Sequence, residues 1–146
     1  MATYPAAIRE RIESLTAACR AVLQQQHLQG MQAVFLYGSS LERGFRSDSD
    51  VDLAVLDDSR HPLSWSEQAR LMDILERALG KGVDLRMLRE TSPSHQAHVL
   101  EQGQLVWSQN PGLVERYSQE IRSAIQSERE HAEQEWPRVL GRLAGR

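Results

Sequence analysis

The sequence predicts an α/β (α+β) fold: a small mixed β-sheet flanked by helices and followed by a long C-terminal helix. Three observations lead there. Apolar residues alternate between helical spacing and short continuous runs, in the order helix, strand, turn, strand, helix, strand, helix. The connection between the second and third strands is long enough for a crossover helix, which permits parallel pairing. The connection between the first two strands is short for a crossover, so that pair is expected to be antiparallel. At 146 residues the chain is expected to form a single domain, 1–146, with a helical extension from about residue 112.

Residues 6–26 place Ile8, Ile12, Leu15, Cys19, Val22 and Leu23 on one helical stripe, with Gly30 ending the element. Residues 32–37 form an apolar run stopped by Gly38, and residues 51–56 form a second; both are read as strands. Between them lies a polar segment, 39–49, with a single helical turn expected over 40–43. Ser64, with Glu67 three residues later, is an N-cap for a helix reaching Leu79. Its expected buried side holds Ala69, Leu71, Met72, Ile74, Leu75, Ala78 and Leu79, and Gly80 and Gly82 close it. Residues 83–88 make the third strand. Ser92 followed by Pro93 opens a short helix ending near Gly103, and 105–107 make a short fourth strand. Pro111 and Gly112 introduce the long helix, with Leu113, Val114, Tyr117, Ile121, Ala124 and Ile125 in phase. Pro137 is expected to break or kink it.

Composition narrows the function classes. A net charge of −3 offers no basic face for nucleic acid, so no direct nucleic-acid binding is expected. Lys81 is the only lysine among 17 basic residues; codon bias accounts for that as well as any preference of arginine for phosphate. The single cysteine, Cys19, rules out an internal disulfide and a cysteine-based zinc site, and its helical phase makes it a core residue. No run approaches the ~20 apolar residues of a membrane span, and the first residues lack the apolar core of a signal peptide. The expected location is the cytoplasm.

The segment from Gly38 to Asp52 carries the chemistry. Gly38 ends a strand where the backbone must turn, and Ser39 offers a hydroxyl and an amide at the start of a helical turn. Such a place binds phosphate, because free N–H groups and the helix dipole both favour an anion. Asp50 and Asp52 are two residues apart, so in a strand their carboxylates share one face. Like charges held together in this way call for a cation. Oxygen-only ligation suits Mg²⁺, which takes its remaining ligands from water and substrate phosphates. Asp84 begins the third strand as Asp50 and Asp52 begin the second; parallel pairing brings all three carboxylates to one sheet edge, beside Gly38 and Ser39.

Gly-Ser, ten residues, then Asp-x-Asp resembles the signature of the DNA polymerase beta-like nucleotidyltransferase superfamily. Arg43-Gly44 and the run from Ser49 to Val55 look like its small bacterial branch, the minimal nucleotidyltransferases. The resemblance covers about residues 30–108. Position 40 is Ser where many relatives carry a basic residue. The resemblance implies a nucleotidyltransferase fold and two Mg²⁺ ions held by Asp50, Asp52 and Asp84, with Asp84 able to take the acceptor proton. It further implies that Gly38 and Ser39 hold the β- and γ-phosphates of ATP, the substrate. Arg43 or Arg46 either neutralises the pyrophosphate or is a solvated loop residue. The branch it looks like contains MntA-type antitoxins of HEPN–MNT toxin–antitoxin systems. Those transfer AMP to a tyrosine hydroxyl of a helical HEPN ribonuclease partner, the toxin, and so neutralise it. Two other roles remain open at this point: neutralisation by complex formation without catalysis, and nucleotidyl transfer to a small molecule.

The remaining candidates are read conservatively. His95 and His98 are three apart on a helix and read as surface residues rather than metal ligands. Tyr37 is read as packing rather than as a platform for the base, and Trp107 and Trp136 as packing residues. Asp48 and Asp57 are read as surface-turn aspartates. The end of the chain from Ser127 is too sparsely apolar to bury itself alone, which favours a partner surface.

Overall fold

A computed structural model describes residues 4–144. Its elements are α1 (Ala6–Leu23), β1 (Met31–Tyr37), a 3₁₀ turn (Gly38–Leu41), β2 (Val51–Asp57), α2 (Trp65–Leu79) and β3 (Val83–Met87). A short 3₁₀ turn (Leu88–Glu90), α3 (Pro93–Gln102), β4 (Gln104–Ser108) and α4 (Pro111–Ala144) complete it. The sheet order is β3-β2-β1-β4. β1 runs antiparallel to both β2 and β4, and β2 runs parallel to β3. The mixed sheet and the long final helix are as the sequence predicts.

Strand alternation divides the core in two. Val34, Leu36, Val51, Leu53, Val55, Val83 and Met87 face one way and pack with Ile12, Cys19 and Leu23 of α1 and with Leu71 and Leu75 of α2. Ala33, Phe35, Tyr37, Ala54 and Leu56 face the other way and pack with Val99 of α3 and Tyr117 and Ile121 of α4. Burial pushes the Cys19 thiol up to about 11, which leaves it an inert core group.

α2 is stapled at both ends. The Ser64 hydroxyl accepts from the Glu67 N–H at 3.1 Å, and the Glu67 carboxylate accepts from the Ser64 N–H at 3.0 Å. Gly80 closes the helix in the left-handed region at φ 65, donating its N–H to the Glu76 carbonyl. That sharp stop returns the chain to β3 beside β2. Against α4, the Tyr117 hydroxyl donates to Gln96 Oε1, and the Arg89 guanidinium lies 5.0 Å over the Tyr117 ring.

Five expectations need correction. α1 ends at Leu23, with Gln24 as its cap; Gly30 instead lies against the His61 carbonyl, where a Cβ has no room. Ala69 and Met72 of α2 are exposed, because the helix turns Leu71 and Leu75, with Leu79 beside them, to the core instead. Pro137 does not break α4, which continues through it to Ala144. Trp136 is 61% exposed rather than packed. Asp57 is buried and accepts from the Leu63 N–H at 3.0 Å, so it ties down the β2–α2 turn rather than decorating the surface.

Candidate active site

Three strands deliver the site to one sheet edge. β1 ends there, while β2 and β3 begin there. Register pairs Tyr37 with Asp52 and Asp52 with Asp84, so these three residues form a row across adjacent strands. By alternation Asp52, Asp84 and Arg86 lie on the face that α3 and α4 cover further along. At the edge itself Asp50 and Asp84 remain exposed and Asp52 half-buried. Asp50 immediately precedes β2 and lies against Gly82, where a Cβ would collide with its Oδ1.

Gly38 is required twice over. Its φ is +76, in the left-handed region, and a Cβ there would collide with the Asp52 carboxylate. The turn therefore presses its backbone directly onto Asp52. Burial raises the Asp52 carboxyl above the ordinary 3.8; Asp84 and, more weakly, Asp50 push the same way, while the Ser39 backbone amide and Arg86 pull it down. Tyr37 is raised chiefly by burial, with Asp52 and Asp84 adding and Arg86 opposing. Asp52 thus lies in the field of both neighbouring carboxylates.

The donor set suits a hard divalent cation. It is oxygen-only, negatively charged and open on one side for a phosphate. Among the described residues, no three Asp, Glu, His or Cys side chains already converge as an enclosed metal cage. Asp84 instead leans to Arg86, whose Nε is 3.8 Å from its Oδ2. Bare carboxylates repel one another, and convergence of their oxygens is what a bound cation would supply.

The loop between turn and aspartates is clamped by residues whose sequence positions carried no functional signal. Arg11 Nη1 donates to the carbonyls of Ser40 at 3.0 Å and Glu42 at 2.7 Å. Lys81 Nζ donates to the Arg46 carbonyl at 3.3 Å, and both cations cover the Phe45 ring, at 4.9 and 4.8 Å. Arg43 and Arg46 project from this loop, exposed, and neither side chain has a hydrogen-bond or ion-pair partner among the described residues. Ser40 is buried, its hydroxyl donating to the Tyr37 carbonyl at 3.4 Å.

Tyr37 is buried in the core, packed edge-on to His95 with ring centroids 5.5 Å apart. That corrects His95, which is half-buried with its Nε2 unpartnered among the described residues; His98 is exposed, as expected. A cleft of about 310 Å³ beside Gly38 is lined by Tyr4, Leu41, Glu42, His98 and Gln102. A larger cavity, about 570 Å³, lies between α1 and the α3–β4 corner and touches none of the site residues.

A glycine-serine turn set on an aspartate pair in a mixed sheet defines the nucleotidyltransferase class. The family described as polymerase beta nucleotidyltransferase matches residues 18–112, and the chain belongs to it. A solved toxin–antitoxin complex with AMP-PNP has a chain that is 24% identical and superposes with a TM-score of 0.65, over 86% of this chain and 98% of that one. A tri-AMPylated HEPN toxin in complex with MNT antitoxin, from Shewanella oneidensis, contains a chain 23% identical (TM-score 0.60, 86% of this chain and 98% of that one). These two likenesses establish the fold. A protein described as a minimal nucleotidyltransferase is 33% identical over 62% of this chain and 91% of its own, with a TM-score of 0.53. No curated protein matches the chain. Among the described residues, no helix is long and apolar enough to cross a membrane.

Proposed function

We propose that this chain is a metal-dependent adenylyltransferase that moves AMP from ATP onto a tyrosine hydroxyl of a HEPN-type ribonuclease toxin, and thereby acts as its antitoxin. The observation that carries the reading is the meeting of Asp50, Asp52 and Asp84 with the Gly38–Ser39 turn at one sheet edge. Asp50, Asp52 and Asp84 would hold the ions. Mg²⁺, as a pair, would stabilise the attacking and departing oxygens of an in-line displacement at the α-phosphorus. Asp84, at the exposed rim, accepts the tyrosine proton. Gly38 and Ser39 receive the β- and γ-phosphates on backbone amides, and Arg43 and Arg46, both free in the loop, neutralise the pyrophosphate. The solved relatives with AMP-PNP and with an AMPylated toxin support nucleotide and acceptor. We further propose that residues 1–146 work as one domain in the cytoplasm, without nucleic acid.

One observation favours a second contribution, neutralisation by binding. Beyond Ile125 the helix α4 buries nothing, and Trp136, Leu140 and Leu143 stand 61%, 49% and 56% exposed at helical spacing. A partner would cover that stripe. Incubation with a HEPN toxin and Mg-ATP should add whole AMP units to the toxin, read by intact mass. Asn at positions 50 and 52 should abolish the gain. An unmodified toxin with wild-type protein overturns the catalytic reading; undiminished neutralisation by the Asn variant assigns the effect to binding.

A further inference from the structure

Arg86 is a cation on the face that carries the aspartates, and the proposed chemistry leaves it without a task. It follows Asp84 by two residues on β3, sits opposite Ala54 in register, and so points to the same side as Asp84 and Asp52. Its Nε lies 3.8 Å from Asp84 Oδ2, and the two side chains are 56% and 47% exposed. Its charge also reaches Asp52 and Tyr37, opposing the upward shift that burial gives each. An arginine cannot shed its proton, so this charge is permanent.

We propose that Arg86 is the resident counter-ion of the metal site: it holds Asp84 until nucleotide and divalent cation arrive together, and then turns to the triphosphate. The inference rests on the metal-dependent reading above. A guanidinium and a divalent cation on one carboxylate repel each other, so Arg86 weakens binding of the bare ion. A triphosphate supplies negative charge that takes up both cations. Metal and nucleotide therefore bind cooperatively, and the coupling is reciprocal. Arg86 acts on the ion through Asp84 and is a positioning residue.

The test is titration of the full chain with Mn²⁺, by calorimetry and by water-proton relaxation, with and without a non-hydrolysable ATP analogue. Wild type, Arg86→Gln and Arg86→Lys are compared. Arg86→Gln should bind Mn²⁺ alone roughly two- to fivefold more tightly, the scale of one half-exposed charge contact. The further gain on adding nucleotide should shrink in that variant, while Arg86→Lys keeps the wild-type pattern. Thermal unfolding in EDTA should show Arg86→Gln below wild type, with the gap closed by Mn²⁺. Equal or weaker Mn²⁺ binding by Arg86→Gln overturns the inference and leaves the metal site standing. Absence of Mn²⁺ binding by every chain, with or without nucleotide, overturns the metal site and this inference together.

Discussion

Asp52 is stabilised in its protonated form by folding, because burial and the charges of Asp84 and Asp50 raise its carboxyl above the ordinary 3.8. A carboxyl raised in the folded state contributes stability below its unfolded pKa, and that contribution is lost as pH rises through the folded value. In the metal-free protein, wild type should therefore lose stability relative to Asp52→Asn as pH climbs from about 3.8 towards 7. Thermal melts in EDTA across that range read the difference; a constant gap between the two proteins rejects it. At this scale the sequence was most informative for residues whose placement follows from spacing: Gly38, Ser39, Asp50 and Asp52 gather at one sheet edge. It was silent on Gly82, read as a helix stop, whose lack of a Cβ makes room for Asp50. Lys81 and Arg11 were equally hidden, since their targets are backbone carbonyls 35 and 29 residues away.

Elements were legible where a local rule governs them. The Ser64–Glu67 capping box and the Ser92–Pro93 start fall where predicted, because a cap is decided by its own few residues. Element ends set by distant contacts were missed, as at Gly30, which answers to His61 rather than to α1. The join of α4 to α3 sets one buried polar pair, the Tyr117 hydroxyl and Gln96 Oε1, within the apolar contact of Val99 with Tyr117 and Ile121, in surroundings that push the Tyr117 hydroxyl up to about 12, chiefly by burial. Tyr117→Phe removes the donor and leaves the Gln96 acceptor buried and unpaired. It should cost about 1–3 kcal/mol in chemical denaturation. A change within error would mean that water or a neighbour takes over the bond.

Across the whole molecule, the core stops well before the chain does. The last buried residue of α4 is Ile121, and the helix then runs on to Ala144 with its apolar stripe uncovered. Deleting residues 128–146 should change the unfolding free energy by less than about 1 kcal/mol, since surface groups away from the core contribute little. The same deletion should weaken association with a toxin partner, measured by size-exclusion chromatography of the mixture. A truncated chain that fails to fold would show that the extension belongs to the core.

The sequence by itself determined the kinds of element, the mixed sheet, and the four-residue signature of turn and aspartates. Those follow from periodicity and chain connectivity, which are local and depend on spacing alone. Only tertiary structure decided which side chains meet across strands. Connectivity already led Asp84 to the edge of Asp50 and Asp52, but the register that sets it opposite Asp52 and the ion pair it makes with Arg86 are tertiary. Gly82 lies against Asp50, while Arg11 and Lys81 close on Phe45. Such meetings depend on packing between segments far apart in the chain, where no spacing rule carries the information.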